Sequence, residues 1–263
     1  MPMSASLNMQ KVSAFVCGAQ KGGTTSLHAH FRDHPDLADP KVKELHFFDN
    51  ESINWSAPDY GKLHAFFAGA REGGIRYDIT PIYMFWPGAL ERIAAYNPDA
   101  RLIFLFRDPF ERAFSHWAME WARKAEQLPF ADAIRSGRAR LAGLPNYARA
   151  WRVYSYLERG LYGRQVEHAL TIFPQHQLLF LRSEDLRSDH GRVLEKISQF
   201  LDLPGFPPSE ARNEHVRAEI DYPASPTEDD KHHVAAFVAR DLERFARLTG
   251  LDISQWPCTL HNF

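Results

Sequence analysis

One lysine set among glycines and hydroxyls is the part of this sequence best equipped for chemistry. Lys21 stands in Gly18-Ala-Gln-Lys-Gly-Gly-Thr-Thr-Ser26, between the apolar run Phe15-Val-Cys17 and a stretch of helical pattern. Backbone N–H groups at a helix N-terminus, glycines that admit a ligand close to the main chain, and a cation together make a cradle for phosphate oxygens. Thr24, Thr25 and Ser26 add hydroxyl donors in the first helical turn. The order of residues separates this loop from a nucleotide-hydrolysing one. A Walker A loop reads G-x-x-x-x-G-K-[ST]. Counted from Gly18, Thr24 occupies the lysine position and Lys21 precedes the glycine pair. The loop is expected to grip a phosphate without being built for ATP hydrolysis. The plain alternative is a lysine and hydroxyls that cap a surface helix. A Gly22-Gly23 pair behind a buried strand is wasteful for capping alone.

The order Lys21-Gly-Gly-Thr-Thr-Ser26 resembles the phosphosulfate-binding loop of the sulfotransferases that use 3′-phosphoadenosine 5′-phosphosulfate (PAPS). Lys43-Glu-Leu-His-Phe-Phe-Asp49 is similar to the segment after the first helix of heparan sulfate sulfotransferases. Arg107-Asp-Pro-Phe-Glu-Arg-Ala-Phe-Ser115 is similar to their second nucleotide-binding segment. Gly160-Leu-Tyr-Gly163 and Leu181-Arg-Ser-Glu-Asp-Leu186 add weaker likeness, so that residues 13 to 202 are covered in family order.

The resemblance implies transfer of a sulfuryl group from PAPS to an acceptor hydroxyl on a small molecule, lipid or carbohydrate, releasing 3′-phosphoadenosine 5′-phosphate (PAP). It implies that Lys21, with Gly22, Gly23, Thr24, Thr25 and Ser26, holds the 5′ end of the donor, and that Arg107 and Ser115 hold its 3′-phosphate. Glu44 would take the acceptor's proton, with His46 and Asp49 orienting Glu44 or the acceptor. Such transfer is governed by positioning and charge stabilisation. Lys21 then belongs at the bridging oxygen, where charge develops. Arginine suits a phosphate because its planar fork gives two parallel charge-assisted hydrogen bonds. A carboxyl near its ordinary ~4.3 is a weak base for an alcohol. Glu44 is therefore expected to gain efficiency from partial burial beneath Phe47 and Phe48 and from concerted transfer. Nothing calls for a metal, since no carboxylate pair accompanies a Walker lysine.

The sequence departs from the heparan pattern at several points. Ile79 precedes Thr80-Pro81 where that family places a lysine, and its late cysteine pair and Lys-Gly-Arg loop are absent. Arg212 or Arg217 would be the substitute phosphate contact. Tyr162 suits either stacking on a purine or packing against the sheet, and Arg112 reads as a surface residue. Two other functions remain compatible: a P-loop nucleotide kinase-like phosphotransferase, and a non-catalytic nucleotide-binding protein.

These residues need a scaffold that converges them. Four strand-length apolar runs, 13–17, 75–79, 102–106 and 178–181, alternate with helical patterns at 25–31, 89–96, 163–173 and 191–201. Their continuous apolar character implies burial on both faces, hence a three-layer α/β fold with a central parallel sheet and helices on either side. Asp108 and Pro109 read as N-cap and first residue of another helix, with Ser115 on the face opposite Phe114, Trp117 and Trp121. Ligands in such sheets sit at the carboxyl ends of the strands, where both proposed nucleotide segments begin. The arginines and aromatics between Trp117 and Tyr162 are candidates for the acceptor mouth, and the proline-rich stretch 203–227 reads as irregular.

The 263 residues are read as one domain, with residues 1–12 a flexible N-terminus. A net charge of −2 argues against nucleic-acid binding. Cys17 and Cys258 show neither metal nor disulfide spacing, Cys17 reading as a small buried hydrophobe. There is no signal peptide pattern and no apolar run near the ~20 residues of a membrane span. A cytoplasmic location is therefore expected; the oligomeric state is left open.

Overall fold

The computed structural model describes residues 10–210, 222 and 225–260. Arg212 and Arg217 lie outside the described residues. Five strands form one sheet in the order β2-β3-β1-β4-β5: β1 (Val12–Gly18), β2 (Leu37–Ala38), β3 (Ile75–Ile79), β4 (Arg101–Phe106) and β5 (Leu178–Arg182). Every pairing is parallel. The two-residue β2 carries too few residues to show a pattern and is not among the strands expected from the apolar runs. Val12, the last residue of the stretch 1–12 expected to be flexible, opens β1 and is fully buried.

The helices are α1 (Thr24–Asp33), α2 (Tyr60–His64), α3 (Ala89–Tyr96), α4 (Pro109–Ala122), α5 (Phe130–Leu141), α6 (Arg149–Val153), α7 (Tyr162–Ile172), α8 (Ser183–Ser188), α9 (His190–Leu201), α10 (Glu228–Thr249) and α11 (Pro257–Leu260). Side chains alternate across a strand, and here both sets are apolar. Phe15, Cys17, Leu102, Phe104 and Phe106 join a core with residues of α3, α4, α7 and α10. Ala14, Val16, Ile79, Ile103 and Leu105 join a second core with residues of α1, α8 and α9. Continuous apolar strands thus become a sheet covered on both faces, as expected.

Helix α4 starts where its residue types demand. The Asp108 carboxylate accepts the N–H of Glu111 at 3.0 Å and Pro109 takes the first position. The second carboxylate oxygen accepts the N–H of Cys258 at 2.9 Å, tying the start of α4 to α11. A cap of this kind contributes about 0.5–2 kcal/mol. Tyr162 is fully buried, packs on Phe106 and Phe245, and donates its hydroxyl to the Arg107 carbonyl at 2.8 Å. Of its two expected roles, the structural one is realised.

Arg112 corrects an expectation. It is fully buried rather than on the surface, because the segment 154–160 covers that side of α4; its Nη2 donates to the Tyr156 carbonyl. Its Nε and Nη1 have no partner among the described residues. Among the described residues, no helix is long and apolar enough to cross a membrane.

Candidate active site

The carboxyl ends of the strands open into a cleft of about 1360 Å³. The turn after β1 lines it with Lys21, Gly23, Thr24, Thr25 and Ser26; the segment after β2 lines it with Lys43, Glu44 and His46. Pro81 and Ile82 follow β3, Arg107 follows β4, Ser115 comes from α4, and Ser183 follows β5. The adjacent strands β1 and β4 are continued toward opposite edges of the sheet, β1 to β2 and β4 to β5. A crevice opens at such a switch point.

The glycine turn lies against β4. The Ala19 N–H donates to the Leu105 carbonyl at 2.8 Å, and the Gly22 N–H donates to the Ala19 carbonyl at 2.9 Å. A Cβ on Gly22 would stand 2.2 Å from the Leu105 oxygen, so only glycine fits. The Gly22 N–H is among those expected to face an anion; it is bonded to Ala19 instead. Gly23 has φ +94° and precedes the first residue of α1. Lys21 itself has φ +70°. Among the described residues its ammonium has the Met119 sulfur as its hydrogen-bond neighbour, at 3.9 Å. Burial lowers its pKa first, and the charge of Arg123 adds to the effect. A cation held this way, with a thioether for a partner, favours an anion beside it.

The segment after β2 has an unusual backbone. Glu44 has φ +61° and His46 has φ +50°. Among the described residues only Lys21, Lys124 and Asp202 share that region without being glycine. Such conformations cost of order 1–3 kcal/mol each and gather at functional sites. Glu44 accepts Lys43 Nζ at 2.5 Å and His46 Nε2 at 3.5 Å. The other ring nitrogen of His46 lies 2.9 Å from Asp49 Oδ2, and Arg152 of α6 holds that same oxygen at 2.6 Å. The result is an ionic row, Lys43–Glu44–His46–Asp49–Arg152.

That row sets the protonation states. Burial pushes the Glu44 carboxyl up, but the His46 hydrogen bond and the Lys43 charge outweigh it and hold Glu44 down at about 2. Hydrogen bonds to Asp49 and Glu44 push the His46 imidazole up to about 9. Partial burial was expected to raise the basicity of Glu44; its neighbours do the reverse. Phe47 and Phe48 are buried, packing on Trp55, Tyr60 and Tyr83 in the core. They anchor the segment from behind.

Arg107 and Ser115 both face the cleft. Arg107 is paired with Glu111, one turn along α4, at 2.7 Å. Ile79 is buried in the core on the α1 side of the sheet. Of the arginines between Trp117 and Tyr162, Arg123, Arg149, Arg152 and Arg159 line the cleft. Arg135, Arg138 and Arg140 pair instead with Asp230, Glu158 and Glu126.

Arg159 was missed. It lines the cleft, is 3 % exposed, donates to Ser155 Oγ at 2.8 Å and reaches the Gln20 amide of the glycine turn. Burial first, then the charges of Arg112 and Arg152, lower its pKa to about 9. The signal was its place directly before Gly160-Leu-Tyr-Gly163.

Known proteins are similar to this chain. The sulfotransferase domain family matches residues 12–220. The human heparan sulfate glucosamine 3-O-sulfotransferase 3B1 is 32% identical over 203 residues, covering 76% of this chain and 48% of that protein. The mouse 3-O-sulfotransferase 3A1 is 32% identical over 197 residues, covering 74% and 46%. The chain spans about half the length of the curated relatives it matches. A sulfotransferase of Alicyclobacillus acidocaldarius has the same fold, with a TM-score of 0.76 and 26% identity over 94% of this chain and 98% of that one.

Proposed function

The chain belongs to the sulfotransferase family, and from that premise we propose that it transfers the sulfuryl group of PAPS to an acceptor hydroxyl. One observation carries the reading. Lys21, Glu44 and His46, three non-glycine residues held at positive φ, face the same cleft as Arg107 and Ser115.

The residues present fit such a donor. Gly22 admits no side chain and keeps the turn pressed on β4, while Lys21 presents a cation whose hydrogen-bond neighbour among the described residues is a thioether. When bound, PAPS supplies the activated sulfuryl group. The N–H groups from Gly23 onward, with the hydroxyls of Thr24, Thr25 and Ser26, hold the 5′ end at the positive end of α1. Arg107 exchanges the Glu111 carboxylate for the 3′-phosphate, assisted by Ser115. With the donor bound, Lys21 would stabilise the negative charge that develops on the 5′-phosphate oxygen when the sulfuryl group is transferred.

Glu44 is ionised throughout the neutral range, because Lys43 and His46 hold it low. It accepts the acceptor's proton as the acceptor oxygen bonds to sulfur. With so low a pKa its driving force is small, so proton transfer follows sulfuryl movement in one concerted step. His46, protonated and braced by Asp49, orients the carboxylate. The whole chain acts as one catalytic domain, and no metal ion takes part in these steps.

The acceptor is a hydroxyl of a small molecule, lipid or carbohydrate. The similar human and mouse proteins are heparan sulfate glucosamine sulfotransferases by name, but Ile79 gives no cation where that family pattern has one. Calorimetric titration with PAP and with ADP tests the donor assignment. PAP is expected to bind at least about tenfold tighter, and Arg107→Ala to remove that preference. Equal affinity for the two nucleotides would overturn it.

A further inference from the structure

The strained Glu44–His46 segment has no regular secondary structure to hold it. It is held from the sheet by three side chains in Asp78-Ile-Thr-Pro-Ile-Tyr83, at the end of β3. The N–H of Leu45 donates to Asp78 Oδ1 at 3.5 Å and that of His46 to Thr80 Oγ1 at 3.5 Å. The N–H groups of Phe47 and Phe48 donate to the Tyr83 hydroxyl at 3.1 and 3.4 Å. Four successive backbone donors are thus received by three side-chain acceptors, all fully buried.

Asp78 sets the direction of this row. Its Oδ1 accepts the Thr80 hydroxyl at 2.6 Å and its Oδ2 accepts the Tyr83 hydroxyl at 2.7 Å. A hydroxyl has one proton and two lone pairs. Once both protons point at the carboxylate, the lone pairs of Thr80 and Tyr83 are turned to the segment's N–H groups. The short bonds are the inner ones, and the longer bonds to the backbone depend on them. Burial pushes the Asp78 carboxyl up, with the Thr80 and Tyr83 hydrogen bonds opposing, to about 6. It is an acceptor at neutral pH.

We infer that Asp78, Thr80 and Tyr83 are positioning residues that hold the backbone of residues 45–48, and through it set the orientation of Glu44 and His46 toward the cleft. The inference rests on the proposed role of Glu44 and His46. None of the three residues appears in the lining of the cleft. Their effect on chemistry is therefore indirect. The turn that carries Thr80 and Tyr83 is itself fixed, since the Met84 N–H donates to the Cys17 carbonyl of β1 at 3.0 Å.

The test follows the His46 ring by nuclear magnetic resonance in the full chain, because its pKa depends on contact with Glu44 and Asp49. Thr80→Val and Tyr83→Phe remove one hydroxyl each and leave the formal charge unchanged. In these variants the His46 titration is expected to move from near 9 toward its ordinary value by about one pH unit or more. Thr80→Ser, which keeps the hydroxyl, is expected to restore the wild-type titration. PAP affinity by calorimetry should stay within about threefold of wild type in all three, since the glycine turn is not held by this row. Wild-type His46 titration in both hydroxyl-deleted variants overturns the inference. A Thr80→Ser variant as shifted as Thr80→Val would overturn it too, by showing that packing rather than the hydroxyl matters. If the wild-type protein fails to bind PAP, the donor assignment falls, while the His46 titrations still decide this inference.

Discussion

Gly22→Ala is the most direct challenge to the anion cradle. The added methyl would sit 2.2 Å from the Leu105 carbonyl oxygen and 2.9 Å from that of Ala19. Both atoms are backbone, and both already accept hydrogen bonds that shape the turn. Ordinary contact begins near 3.4 Å, so the turn must move away from β4. The displacement is about 1 Å, a scale at which site geometry loses on the order of 10²-fold in function. Overpacking costs about 1–3 kcal/mol and each loosened turn hydrogen bond about 1 kcal/mol. A total of about 2–4 kcal/mol corresponds to a fall in Tm of about 5–15 °C for a chain of this size. Gly23→Ala is the control. Its φ of +94° makes the change strained, but its nearest neighbour is the Ser183 hydroxyl at 3.2 Å, which can rotate. That variant should lose about 1–2 kcal/mol from backbone strain alone. Thermal unfolding and calorimetric titration with PAP measure both. Gly22→Ala is expected to lose much more PAP affinity than Gly23→Ala. A Gly22→Ala protein with wild-type Tm and PAP affinity would show that the turn does not lie against β4 and does not form the anion site.

Stability should depend on pH through the ionic row. His46 has a raised pKa, so its contribution is complete below its ordinary 6.5 and is lost as pH rises through about 9. Glu44 has a depressed pKa, so its contribution is present above its ordinary 4.5 and is lost as pH falls through about 2. Urea unfolding midpoints across that range should fall at both ends, with the alkaline fall reduced in His46→Asn; a midpoint constant up to about pH 10 contradicts the row. Glu44→Gln should lower turnover by about 10²–10⁴-fold in an acceptor-library assay read by mass spectrometry, with PAP binding kept, and unchanged turnover rejects Glu44 as base. Arg152→Met leaves the buried Asp49 carboxylate with His46 alone, and should cost about 1–3 kcal/mol. That is less than the 3–5 of a fully buried pair, because Arg152 keeps a third of its side chain in solvent. An unchanged denaturation midpoint would mean that the pair adds nothing.

Local patterns in the chain carried much of this. The strand at 75–79 and the helix at 89–96 have the bounds their apolar runs imply, and Asp108-Pro109 starts α4 as capping chemistry requires. The Lys21 turn was legible because its parts are contiguous: a strand, a turn that only glycine can make, and the first turn of a helix. Contacts between distant segments decided the rest. Glu44 is held low by His46 and Lys43 rather than raised by burial, and its segment keeps its strained backbone through Asp78, Thr80 and Tyr83, more than thirty residues along the chain. Arg112 lies on a helix whose own pattern leaves it at the surface, yet the segment 154–160 closes over it. Spacing along a sequence determines which residues share a face of a helix or strand. Which other chain segment covers that face, and so sets burial, charge pairing and basicity, exists only once the sheet has assembled.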